Sequence, residues 1–187
     1  VVFCYYGQMS TMIGRVDSKG FLKAIFFSLA AVYFIYCAAD RQGFHFFDNV
    51  DLVVHEAGHV LFFPFGEFLN VAGGTILQLL APMVFVLYFL FKRDFYSVGI
   101  VSFWLGQSFV NVARYAADAV EMNLSLLGGG NHDWNFLLAQ TGALAEAQTV
   151  SNAFYYAGIA IICAGIIIGL SNIKYHKDGE GRPGKNN

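Results

Sequence analysis

Four runs of apolar residues, at 21–39, 71–91, 98–117 and 152–170, constrain what this chain can become. Each is close to the roughly 20 residues a helix needs to cross about 30 Å of hydrocarbon. In that solvent every backbone N–H and C=O must be paired within the segment or in a closed barrel. Runs this long belong to helices, so the expected fold class is all-α: a polytopic membrane bundle of four transmembrane helices. Composition agrees, with 57% of the 187 residues hydrophobic, 13% charged and a mean hydropathy of +0.53, outside the balance of a soluble domain. A net charge of −2 carries no electrostatic footprint for nucleic acid. With no internal repeat, residues 1–173 are expected to form one membrane-embedded domain, followed by a flexible cytoplasmic tail at 174–187. The first run is long for the core of a signal peptide and is taken as a retained helix. Cys4, Cys37 and Cys163 share no ligand spacing and read as small apolar residues.

A shorter stretch, residues 51–65, lies between the first two runs and is stopped by Pro64 and Gly66. It is too short to span and suits a re-entrant or interfacial helix. If it does not cross, Arg15, Lys19, Lys23, Lys92, Arg93, Lys174, Lys177, Arg182 and Lys185 all fall on one side. The positive-inside rule makes that side cytoplasmic, with both termini on it. Asp40, Asp48, Asp51, His55, Glu56, His59, Glu67, Asp118, Glu121, His132 and Asp133 then collect at the outer, extracytoplasmic face.

Within the short stretch, His55-Glu56-Ala57-Gly58-His59 is an H-E-x-x-H motif. The i, i+4 spacing stacks two imidazoles on one helix face, where both can reach one Zn²⁺ at about 2.0–2.1 Å. Glu56 then lies beside the water that zinc activates, placed to take its proton as general base. Ionisable side chains at membrane depth are costly unless paired or bound, and a metal accounts for both histidines.

A catalytic zinc site needs a third protein ligand. Asn111, Tyr115 and Asp118 share one face at the end of the third run, so Asp118 is one candidate ligand and Asn111 a candidate for positioning substrate. An Arg114–Asp118 pair at the membrane edge is the alternative. His132, in the segment Gly128-Gly-Gly-Asn-His-Asp-Trp134, is the other candidate ligand and ranks slightly ahead. Asp133 beside it suits a ligand, an imidazole-orienting carboxylate, or the cap of a helix starting near Trp134. Glu67 and His45 are expected to be interfacial side chains.

This pattern resembles the integral-membrane zinc metalloproteases of the site-2 protease family, distantly, across about residues 51–119. The resemblance implies His55 and His59 as ligands, Glu56 as base, Asp118 as the distal ligand and Asn111 as a substrate-positioning residue. Arg114 stands where that family's motif has proline, and Ala119 where it has glycine.

The expected function is a zinc peptidase acting on membrane-tethered or outer-face polypeptides, with Arg114 or Asn111 holding the oxyanion or the substrate strand. The alternatives are a metal-stabilised scaffold subunit, for which Gly165-Ile-Ile-Ile-Gly169 offers a face for another membrane protein, and a zinc hydrolase of lipids or small substrates. The orientation is directly testable with Lys92→Cys in a chain freed of its own cysteines. That thiol is expected to resist a membrane-impermeant maleimide added outside intact cells and to react after permeabilisation; labelling from outside overturns the orientation.

Overall fold

The computed structural model describes residues 18–41, 43–124 and 132–173. Cys4, Arg15, the glycines at 128–130 and the tail at 174–187 lie outside them. Six α-helices run in the order α1 (Ser18–Ala39), α2 (Phe46–Phe62), α3 (Glu67–Phe91), α4 (Phe95–Ala117), α5 (Asp133–Gln140) and α6 (Ala147–Ser171). Short 3₁₀ turns at Phe63–Phe65 and Leu144–Glu146 complete the described residues, which contain no strand.

Much of the surface is apolar, and several polar side chains are buried alongside an apolar core. Phe26, Leu29, Val84 and Ile167 are more than half exposed, while Asp48, Asp51, Gln107 and Ser108 are at most 2% exposed. Such a surface suits a protein whose surroundings are hydrocarbon. Among the described residues, three helices combine spanning length with the hydropathy of a span: α1, α3 and the segment Leu144–Ser171. The fourth expected span is α4, long enough at 23 residues but interrupted by Ser102, Gln107, Ser108, Asn111 and Arg114. The reason is position: α4 is central, packing against α1, α2, α3 and most extensively α6, so its surface meets protein.

Glycine seams make that packing close. A Cβ at Gly99 would sit 2.8 Å from the Gly165 carbonyl oxygen, and one at Gly106 would sit 2.8 Å from that of Gly158. Both pairs are one heptad apart on antiparallel helices, which brings the backbones of α4 and α6 together without intervening side chains. The Gly165/Gly169 face, expected to serve another protein, is therefore occupied within the chain by Gly99, Ser102 and Phe27. Phe27, Phe34 and Phe103 fill the space between α1 and α4, with ring centroids 5.1 Å (Phe27–Phe103) and 5.8 Å (Phe34–Phe103) apart.

α2 spans about 25 Å, short of the hydrocarbon thickness. Pro64 ends it, and Gly66 at φ +94° reverses the chain into α3, a conformation that glycine adopts without strain. The two helices form an antiparallel hairpin beside α4. Its site-bearing side chains share an end of the bundle with the C-terminus of α4 and the N-terminus of α6, tied by Tyr155 Oη donating to the Ala38 carbonyl and Arg41 stacking on Tyr155. Lys23, Lys92 and Asp94 occupy the opposite end, where Tyr96 Oη donates to the Lys23 carbonyl.

Asp94 caps α4 there: its carboxylate accepts from the Ser97 N–H at 3.2 Å and the Ser97 hydroxyl at 2.6 Å. The Ser97 hydroxyl, above all, holds this carboxyl below the usual aspartate range. A lowered value means the cap's contribution is present above the ordinary aspartate pKa and is lost as pH falls through the depressed value. Asp94→Ala is expected to cost about 0.5–2 kcal/mol at neutral pH. The difference from wild type in detergent melts should shrink as the medium is acidified.

Candidate metal centre

His55 and His59 stack on one face of α2, their rings 4.9 Å apart and nearly perpendicular. What lets α2 present them is a backbone crossing. A Cβ on Gly58 would collide with the Gly73 carbonyl oxygen, and one on Gly74 would sit 2.5 Å from His55 Nε2. The glycine inside H-E-A-G-H and the Gly73-Gly74 pair of α3 thus bring the helices together and leave room for the His55 ring.

Each histidine directs Nε2 to the same place. His55 Nε2 lies 2.8 Å and His59 Nε2 3.2 Å from Asp133 Oδ2, and the donor atoms of all three residues fall within 4.8 Å of one another. The remaining ring nitrogens are held elsewhere: His55 Nδ1 is 3.0 Å from Gln78 Oε1, and His59 Nδ1 is 2.8 Å from the Asn70 carbonyl oxygen. A carbonyl only accepts, so His59 Nδ1 carries the hydrogen, which in the neutral ring leaves Nε2 the nitrogen able to ligate. Asn70 returns the bond, its Nδ2 donating to the His59 carbonyl at 2.6 Å.

Two imidazoles and a carboxylate are the right donor set for zinc, each imidazole having a partner on its second nitrogen. Ligand atoms of a tetrahedral ion with bonds near 2.0–2.1 Å stand roughly 3.3 Å apart; His59 Nε2 is at that separation from Asp133 Oδ2, and His55 Nε2, at 2.8 Å, stands at direct hydrogen-bond distance and would move outward by about 0.5 Å to share an ion. The residues present therefore fit a metal ion.

Asp133 is the first residue of α5, and its backbone N–H donates to Tyr115 Oη at 3.1 Å. The Tyr115 ring packs against His55 and, at 4.4 Å between centroids, against His132. His132, not Asp133, is the cap of α5: its Nδ1 accepts the Asn135 N–H at 3.2 Å. With that nitrogen an acceptor, Nε2 carries the hydrogen toward Asp118 Oδ2, 3.2 Å away. Asp118 also accepts from the Asn123 and Leu124 N–H groups, each at 2.9 Å. His132 and Asp118, the two ranked candidates for third ligand, are thus brought together as partners of each other, and Asp133 is the acid beside the histidine pair.

Asn111 and Arg114 both engage a residue that pattern reading did not single out. Asp48, 1% exposed, accepts from Asn111 Nδ2 and Gln107 Nε2, each at 3.0 Å, and faces Arg114 Nη2 at 3.3 Å. Arg114 Nη1 also donates to the Gly43 carbonyl. One turn on, Asp51 Oδ1 accepts from Trp104 Nε1 and the Ser108 hydroxyl, each at 2.9 Å. A signal existed: Asp48, Asp51 and His55 follow i, i+3, i+7 spacing, one helix face, and Gln78 is an isolated polar residue in an apolar run.

Glu56 is exposed and makes no hydrogen bond or ion pair among the described residues; Tyr115, which packs on His55, is within its electrostatic reach. Glu67 is exposed at the start of α3. His45, expected at the membrane surface, instead precedes α2 with a side chain only 9% exposed, between Asp40 (3.3 Å) and Asp48 (3.5 Å).

Because the crossing leaves no space for a methyl group, Gly58→Ala is expected to lower unfolding stability by about 1–3 kcal/mol in denaturant titrations of the detergent-solubilised chain. Unchanged stability would show that the helices can part without cost. Compared with protein-family models, with curated proteins and with solved structures, the chain matches none.

Proposed function

We propose that this chain is an integral-membrane zinc peptidase, distantly like the site-2 proteases, that hydrolyses peptide bonds of membrane-tethered polypeptides at the extracytoplasmic face. The observation that carries the reading is the convergence of His55 Nε2, His59 Nε2 and Asp133 Oδ2, with an unpartnered glutamate between the two histidines in sequence. His55, His59 and Asp133 would hold the ion. Zinc bound there supplies Lewis acidity toward a carbonyl and toward water.

The chain's own residues account for the rest. Glu56, exposed beside the triad, takes the proton of the attacking water on its carboxylate and delivers it to the leaving amine. Tyr115 holds Asp133 by its backbone, while Asn111 and Arg114 act by securing Asp48. The scaffold alternative calls for a closed shell of His55, His59, Asp118 and His132. The mutual pairing of His132 and Asp118 favours the open, three-donor arrangement, as does Glu56, which a structural site does not need. The site's place at the end of the bundle opposite Lys23 and Lys92 supports its assignment to the outer side.

Elemental analysis of detergent-purified protein tests this. Wild type and Glu56→Gln are expected to carry near-stoichiometric zinc, and His59→Ala and Asp133→Ala to lose most of it. Asp118→Ala should retain more than Asp133→Ala. Cleavage of a membrane-tethered reporter should fall by about 10²–10⁴-fold in Glu56→Gln. Metal-free wild type, purified without chelators, would rule the peptidase out.

A further inference from the structure

We propose that Asp48 is a positioning residue for the His55 imidazole, acting through Asn111 and Gln78 along a hydrogen-bond relay that can run in one direction only. The inference rests on the reading of His55 as a metal ligand, and it joins Asp48, Asn111 and Gln78 in one role.

The relay begins where no choice exists. Asp48 Oδ2 accepts the His45 N–H at 2.7 Å and faces Arg114 Nη2; Oδ1 accepts from Gln107 Nε2 and Asn111 Nδ2. All of these partners are donors, so the carboxylate accepts on both oxygens and Asn111 must present its NH₂ group. Asn111 Oδ1 then faces α3, where Gln78 Nε2 donates to it at 2.9 Å. Gln78 has only Oε1 left for His55, so His55 Nδ1 carries a hydrogen and donates at 3.0 Å. In the neutral ring Nε2 is then the nitrogen with the lone pair, on the side of Asp133.

Turning any link around is costly. A rotated Gln78 amide would set Oε1 against Asn111 Oδ1 and present its NH₂ to Nδ1, forcing the other ring tautomer on His55. Rotating Asn111 as well would only move the clash to Asp48, oxygen against carboxylate. Gln78 and Asp48 are at most 2% exposed, so no water relieves the mismatch, and a buried polar group left unsatisfied costs about 1–3 kcal/mol. The relay starts on α2, passes through α4 and α3, and returns to α2 seven residues later. His59 needs no such device, because the Asn70 carbonyl is a fixed acceptor. The two histidines are thus oriented independently, one by backbone and one by a side-chain chain anchored on Asp48 and Arg114.

The test uses the full chain in detergent, with Zn²⁺ affinity read by competition against a chromophoric chelator. Gln78→Met, which cannot accept from Nδ1, is expected to weaken binding about 10–100-fold. Gln78→Glu keeps an acceptor for Nδ1 but sets an oxygen against Asn111 Oδ1, and Asn111→Leu frees the Gln78 amide to turn, so both should fall between wild type and Gln78→Met. A second readout needs no metal. In metal-free Asp133→Ala, above the pH at which imidazole titrates, ¹⁵N NMR should show His55 as the Nδ1–H tautomer, and adding Gln78→Met should shift it to Nε2–H. Wild type that takes up no zinc while Asp133→Ala shows the Nδ1–H tautomer would remove the peptidase reading and keep the relay. An Nε2–H tautomer in Asp133→Ala, or zinc-binding wild type matched by Gln78→Met, overturns it.

Discussion

A carboxylate without access to water must find every partner it needs within the protein, and Asp48 does so. Its two oxygens collect donors from the start of α2 and from three successive turns of α4. Stripping such a group of one charged partner costs on the order of 3–5 kcal/mol, so the register between α2 and α4 has little freedom. Asp51 adds a second tie one turn further on. Once that register is set, the face of α2 bearing His55 and His59 has only one direction to point. The geometry of the candidate site is in this sense a consequence of where Asp48 is satisfied, with Asp51 held through its Oδ1 alone.

The helical character of the chain was legible because spanning length and apolar composition leave few alternatives in hydrocarbon. So was the clustering of acids and histidines, since the placement of Lys and Arg implies it. The part of α4 in the bundle was less legible. Its polar residues look like interruptions of a membrane span in the linear sequence, and they are the face that meets α2 and α3. Hydropathy averages over the helix circumference and cannot separate a polar stripe aimed inward from a helix that avoids the membrane.

The candidate site was legible where it is local. His55, Glu56 and His59 follow from i, i+4 geometry, which needs no tertiary information. The acid that joins them had no comparable signal. His132 and Asp133 are adjacent in sequence, and whichever of them caps α5 leaves the other to face the bundle. That outcome depends on Asp118, whose side chain engages the backbone of residues 123 and 124 and the imidazole of His132. Choosing between neighbours required a contact 14 residues away in sequence. Gln78 stood out as a polar residue in an apolar run but its partner did not, and Asn70 was silent, for the same reason: each acts on a helix other than its own.

The origin of the third donor matters for more than coordination. His55 and Asp133 are 78 positions apart, and Asp133 opens an eight-residue helix whose own hold on the bundle is the burial of Trp134 and Leu138. An ion shared by these residues would act as a crosslink closing a long loop of chain, removing freedom from the unfolded ensemble in the way a disulfide does. Its binding free energy would enter directly into the stability of the fold. Metal supply would then govern the abundance of the folded chain as well as its chemistry, so that a cell short of the ion would lose the protein itself and not merely its activity.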